Sequence, residues 1–309
     1  MKSSCSIKQV NKVTRKLMMR KFVHMREYII HKLLGISTQE VLNRPPVDTT
    51  IVPLDNIAQE MKKAVNTFKS LAMDDVGLQI DYGKLRDSQE YAMYKKEFSP
   101  QLYKVDLQAF QSEKQKIAFW LNVYNALVID AVIAYGVKTS VTEGFLGIVR
   151  FFRKAAYNIG GLRFSLEDIE HGVLRANRGN PFVPGPQFSS TDNRIYSVLD
   201  RVDPRIHFAL NCASRSCPPI SVYQEDGLDA QLDLAARNFL DQEVHLDKDA
   251  GALYISALFK WFDRDFGRRT GILKFLHAYL PKDERHEWLH EQGIVSKIKY
   301  LPYDWALNV

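Results

Sequence analysis

"KIAFWLNVYNALVIDAVIAYG", residues 116–136, is apolar around its whole circumference after Lys116, apart from two asparagines and one aspartate. A helix that offers no polar face to water must be enclosed, so this segment is expected at the centre of the fold. Its start is marked by "SEKQ" at 112–115, a capping-box pattern in which Ser112 caps the first turn and Gln115 reaches back. Asn122, Asn125 and Asp130 interrupt the apolar run, which favours a buried core helix over a membrane span. Asn122 and Asn125 lie three residues apart on one side, and each amide needs partners inside the protein. Such amides either satisfy irregular backbone or, at a functional site, orient a histidine or supply an oxyanion donor.

Outward from this helix the pattern alternates between helices and hairpins. Leu54, Ile57, Met61, Val65, Phe68 and Leu71 predict an amphipathic helix. Residues 84–110 continue the helical pattern, broken at Pro100, and an irregular region follows Gly136. "YNIGGLRFS" (157–165) reads as a hairpin turning at Gly160-Gly161. "SLEDIEHGVLR" (165–175) reads as a helix capped by Ser165, and 178–193 as a long loop. "RIHFALN" (205–211) is expected as a strand, "EVHLDKDAGALYIS" (243–256) as a second hairpin, and "SKIKYLPYDW" (296–305) as a closing strand. The expected class is α+β: a mostly helical single domain with a small, largely antiparallel sheet, plus an N-terminal basic amphipathic helix. Residues 1–50 form the basic arm and linker, and 51–309 the globular domain.

The charge is concentrated in that arm. Of 42 Lys and Arg in 309 residues, nine fall within residues 1–34, opposed there by Glu27 alone, while the remainder of the chain is near neutral. Val10, Val13, Leu17, Met18, Met25, Ile29 and Leu33 recur at roughly helical spacing among the cations, with Gly35 as the stop. Such a helix packs its apolar stripe on the main domain or makes a weak contact with an anionic surface. No aromatic interleaving or recognised motif points to specific nucleic-acid binding. Three cysteines do not make a secreted disulfide framework. With no signal-peptide pattern at the N-terminus, a soluble, cytoplasmic chain is expected.

Four places carry chemistry. On a strand, His207 and Asn211 share a face and Cys212 points away, so the turn "NCASRSC" must rotate the thiol before it meets an imidazole. Arg215 and the amides of that turn are expected to lower the Cys212 pKa. On helix 166–176, Glu170 falls inside the apolar arc of Leu166, Ile169, Val173 and Leu174, with His171 at its edge. A carboxylate aimed at the core must be paired, hydrogen-bonded or protonated. "HEWLH" (286–290) matches the zinc-protease pattern, but the charged flanks Asp283, Glu284, Arg285 and Glu291 and the lack of a later histidine argue for coincidence. His171, His207, Cys212 and Cys217 are a ligand set that zinc accepts, yet nothing in their spacing makes them converge. No metal or cofactor is expected.

Taken together, "AFWLNVYNALVIDAV", "IGGLRFSLEDIEHGVLR", "RIHFALNCASRSCPPI", "FKWFDRDFG" and "YLPYDWALN" resemble the domain of unknown function 547 family, in order from about residue 85 onward. The resemblance implies no defined activity. It marks Asn122, Asn125, Glu170, His171, His207, Asn211, Cys212, Ser214, Cys217 and Asp265 as motif residues. Ala213 stands where glycine is expected, which argues against a left-handed turn there.

These residues suggest a thiol-dependent hydrolase or acyl/peptidyl transferase. Cys212 would be the nucleophile and His171 the base, with His207 as substitute. Glu170 or Asn125 would orient the imidazole, Asn122 would accompany them, and amides around Ser214 would hold the oxyanion. The competing reading is a non-catalytic scaffold or binding module whose buried polar groups only fix irregular loops.

Overall fold

In the computed structural model, residues 3–48, 50, 52–75, 77–144 and 146–309 are described, apart from the side chains of 3–16 and Ile294. The stripe positions Val10 and Val13, and Cys5, therefore lie outside the described side chains. The helix Glu113–Tyr135 is central, and every residue from Ile117 to Val132 is buried. Ser112 Oγ accepts from the Gln115 N–H at 3.0 Å, and Gly136 ends the helix at φ 63°. The capping box is displaced by one residue: Gln115 Oε1 accepts from the Gln111 amide, not from Ser112. Among the described residues this is the one helix long and apolar enough to cross a membrane, and it is mostly enclosed by the protein itself.

The polar groups of this helix tie the surrounding chain to it. Asp130 accepts from the Tyr91 and Tyr157 hydroxyls, each at 2.6 Å, and from Lys95 Nζ at 2.7 Å. Asn122 exchanges both hydrogen bonds with the backbone of Tyr223. Asn125 donates to Ala209 O and accepts from the Asn211 amide. Each buried amide or carboxylate is satisfied by a segment remote in sequence, so the helix fixes loops that have no ladder of their own.

Two hairpins form where the Gly-centred turns place them. β1 (Ala156–Ile159) pairs antiparallel with β2 (Leu162–Ser165), with Gly160 and Gly161 at φ 60° and 79°. These two positive angles are what a two-residue hairpin turn requires. β3 (His245–Asp247) pairs antiparallel with β4 (Ala252–Ile255), and β5 (Ile298–Tyr300) adds parallel to β4. With about 52% helix and these small sheets, the class is α+β. A second, aromatic-rich core gathers Phe208, Phe239, Phe259, Phe266 and Phe275 beside the main one.

Three expectations are corrected. Residues 205–211 are not a strand: Pro204–Phe208 is a 3-10 helix, with the Asp203 carboxylate accepting from the Arg205 amide. An Asp N-cap followed by proline favours a helical start, and the apolar run behind it was ambiguous in period. The 3-10 turn points His207 and Leu210 one way and sends Phe208 into the second core. Residues Asp168–Leu174 form a π-helix, not an α-helix, seen in the Arg175 amide donating to Glu170 O at 2.9 Å. Ser165 does cap its start, exchanging hydrogen bonds with Asp168. The region after Gly136, expected to be irregular, holds the helix Gly147–Lys154.

The basic helix runs Ser3–Leu34 and stops at Gly35, φ 61°. Val23, Arg26 and Leu34 are buried against the domain, and Arg26 Nη1 donates to Pro184 O at 2.7 Å. The linker is equally anchored, because Asn43 bonds Ser99 O and both backbone groups of Asn158.

Removing the Asp130 carboxylate leaves Lys95 and two buried phenols without their acceptor. Breaking such a buried charge pair costs about 3–5 kcal/mol. Asp130→Ala is therefore expected to lower the unfolding free energy by that amount in a urea titration.

Candidate functional site

The loop and helix ends described above enclose a cavity of about 180 Å³. Its polar lining includes Tyr124, Glu167, Glu170, His171, His207 and Cys212. Phe152, Phe182, Trp261 and Trp305 supply aromatic wall, and Tyr303 carries its hydroxyl to the thiols. Four of the six site residues anticipated from the sequence thus share one cavity: Cys212, His171, His207 and Glu170. Asn122 and Asn125 do not line it. They hold its floor, since Asn125 grips the backbone at 209 and 211 from below.

The cysteine turn is pinned from three sides. Asn211 accepts from the Ala213 amide at 2.8 Å and donates to Pro218 O at 2.8 Å. Ala213 adopts φ 64°, so the left-handed turn exists despite the β-carbon, at a cost of roughly 1–2 kcal/mol. Residues 304–308 run alongside: Arg215 N donates to Ala306 O, and Asn308 N to Ala213 O. This tail positions Tyr303, whose hydroxyl lies 3.2 Å from Cys212 Sγ and 3.3 Å from Cys217 Sγ. Ser214 Oγ lies 3.3 Å from the first thiol and 3.2 Å from the second.

The donors of the turn converge on Cys217, not on Cys212. The Cys212 amide itself points at Cys217 Sγ, 2.9 Å away. Burial works to raise the Cys217 thiol, but bonds from Cys212, Ser214 and Tyr303 outweigh it and bring it down to about 6. Cys212 moves the opposite way: burial and the adjacent Cys217 sulfur push it well above its ordinary value. Arg215 is exposed and does not line the cavity. The expectation that Arg215 and the loop amides lower the Cys212 pKa is therefore overturned. The amides of 213, 215, 216 and 217 also donate to protein acceptors, so they are not free for an oxyanion.

The two imidazoles have distinct tautomers, set by their partners. Arg175 Nη1 lies 3.1 Å from His171 Nδ1, and a guanidinium can only donate, so Nδ1 is the acceptor and Nε2 carries the proton. Burial first, and then Arg175, hold His171 well below its ordinary pKa. His207 Nε2 lies 3.0 Å from Asp265 Oδ2, which puts the proton on Nε2 and leaves Nδ1 as the acceptor. The ring stacks on Phe262 with centroids 4.0 Å apart. Burial lowers the His207 pKa, with Asp265 offsetting part of the fall. Arg175 also bonds Asp265, at 2.5 Å, so one carboxylate organises both histidines.

Glu170 accepts from the Tyr124 hydroxyl at 3.1 Å and sits 3.6 Å from His171 Nδ1, beyond hydrogen-bond reach. It is Arg175, not Glu170 or Asn125, that orients the His171 ring. Burial lifts the Glu170 carboxyl to about 7, against the pull of Arg175. Glu167 is ion-paired to Arg153 at 2.8 Å and accepts from Asn180. Among the described residues no group of three or more His, Cys, Asp and Glu has the arrangement of a metal site. His286 and His290 of the "HEWLH" stretch pack their rings against His277.

A mostly helical α+β domain with a thiol, two neutral imidazoles and a high-pKa carboxyl in one apolar-walled cavity defines the class. Residues 107–240 match the family model described as a protein of unknown function, DUF547. No curated protein and no solved structure matches the chain. The matched segment carries both histidines, both cysteines and Glu170. Phe262, Tyr303 and Trp305, which complete the cavity, and Asp265, which holds His207, lie beyond it.

Sequence reasoning gave no role to Arg175, Tyr124, Asp265 or Tyr303. Arg175 stands four residues after His171, a spacing that brings side chains together on a helix. Asp265 was marked only as a motif residue within "FDRDFG", and Tyr303 only as part of the closing motif.

A raised Glu170 pKa means that the folded state holds its proton more tightly. The stabilisation is complete below the ordinary value of 4.5 and disappears as pH rises to about 7. Across that window Glu170→Gln is expected to remove a decline of about 2–3 kcal/mol from the stability profile, read by denaturant titration at successive pH values. Cys217 has the reverse sign. Its contribution is full above 9.0 and lost as pH falls to about 6, and thiolate absorbance with that lower midpoint is expected to vanish in Cys217→Ser.

Proposed function

We propose that the chain is a thiol-dependent hydrolase or acyl/peptidyl transferase with Cys212 as its nucleophile. The observation that carries this reading is the meeting of Cys212, His207, His171 and Glu170 in one apolar-walled cavity, although they come from two separate segments. Polar groups in so small an apolar space are costly to maintain, and sites of catalysis are where such groups gather.

In the acylation step the bond from Cys212 Sγ to the acyl carbon forms and the bond to the leaving group breaks. The Cys212 proton passes to His207 Nδ1, the free acceptor of a ring held by Asp265, and then to the leaving group. His207 thus takes the role of base, and His171 the role of donor. With Nδ1 engaged by Arg175, the His171 Nε2–H is available to the developing oxyanion, and a neutral imidazole gives that bond without adding charge. In the second step water or an acceptor amine or alcohol attacks the thioester, loses its proton to His207, and the thiol is restored. Glu170, with its pKa near 7, can hold or release a proton at the substrate's far side.

Turnover of a panel of p-nitrophenyl acyl esters tests this. Cys212→Ser is expected to abolish it, and His207→Ala to lower kcat by roughly 10²–10⁴. Cys212 lines the cavity whereas Cys217 is buried outside the lining, so access rather than acidity is expected to make Cys212 the faster thiol toward a bulky alkylating reagent. Turnover that survives Cys212→Ser, with equal and slow labelling of both thiols, would leave the scaffold reading in its place.

A further inference from the structure

The basic helix is packed on one face and unpartnered on another. Val23, Arg26 and Leu34 are buried in the domain. Met18, Phe22, Met25, Ile29 and Leu33 form a second apolar stripe, exposed by 66, 44, 60, 46 and 69% respectively. At 100° per residue these five fall within a sector of about 80°, turned roughly 120° from the packed face. The remaining arc, on the far side of both faces, holds Arg20, Lys21, His24 and Lys32, all exposed. Glu27, the single acid of residues 1–34, is already paired with Arg26 and Arg153.

The apolar surface continues off the helix. Phe22 lies against Gly185, where an added β-carbon would stand 3.0 Å from its ring. The same loop carries Phe182, 72% exposed at the cavity rim. Arg26 clamps this loop to the helix through Pro184 O. An apolar stripe flanked by unpaired cations, extended by an aromatic loop tip, matches the surface of a bilayer with negative headgroups. A second copy of the chain is a poor occupant, because two such helices would bring their cations together with no free acid to oppose them.

We propose that this face docks on the surface of an anionic lipid bilayer, with Met18, Phe22, Met25, Ile29 and Leu33 entering the headgroup boundary and Arg20, Lys21 and Lys32 pairing with lipid charge. The inference stands apart from the acyl-transfer reading, since it uses no residue of the thiol pair. The full chain is expected to sediment with vesicles of phosphatidylcholine and phosphatidylserine, not with phosphatidylcholine alone, and to be released by salt. Arg20→Glu/Lys21→Glu should weaken partitioning by roughly thirty-fold or more, at about one tenfold step or less per cation. Met25→Glu/Ile29→Glu should abolish it with the circular dichroism of the fold unchanged, as both positions face solvent. Failure to bind anionic vesicles, or binding unaltered in both variants, would overturn the proposal. So would a dimer in solution that Met25→Glu/Ile29→Glu dissociates, since the stripe would then belong to a second copy.

Discussion

The carboxylate of Asp265, fully buried on its side chain, is the constraint from which the site's arrangement follows. A buried anion must be neutralised by well-placed donors, and removing a partner is more costly than the pair is stabilising. Here the donors are Arg175 from the π-helix and His207 from the 3-10 turn, with Arg178 bonding the outer oxygen. His207 and Arg175 together hold Asp265 well below the ordinary carboxylate range, against a burial effect that would raise it. A π-helix and a 3-10 helix, remote from each other in sequence, are thereby locked to a third segment. Arg175 then passes the constraint on to His171, so a single anion determines the proton position on both rings.

The π-helix has a local reason to be where it is. Its start is held by Ser165, Gln187 and Arg194, all bound to Asp168. Its end turns through Ala176 and Asn177, both at positive φ. Gly172 sits so close to Phe188 that a β-carbon would lie 2.4 Å from the ring, which makes the wide turn and the tight packing one feature. Wide helical turns of this kind are recurrent at functional positions.

Much of this was legible in the residues. The core helix, its cap at Ser112, the Gly160-Gly161 hairpin and the oddity of Glu170 all follow from periodicity and turn chemistry. What could not be read has physical causes. The run 205–210 is apolar in a way that suits a strand or a tight helix equally, and only the tertiary placement of Phe208 decides it. The difference between α and π in residues 168–174 is a shift of each backbone bond by one residue, which no composition encodes. The partition of donors between Cys212 and Cys217 depends on which way a single amide points, and on a tyrosine about ninety residues further along the chain. Cysteine spacing carries no trace of either.

That tyrosine belongs to a segment made about ninety residues after the sulfurs. Residues 303–308 lie alongside the turn at 211–217 through backbone bonds and the bridge between Ser214 and Leu307. A growing chain that has left the ribosome only as far as the second hairpin already carries both sulfurs, but without the phenol and without the edge that holds their turn. The sulfur pair therefore acquires its surroundings only once residues 303–308 have emerged and docked on the turn.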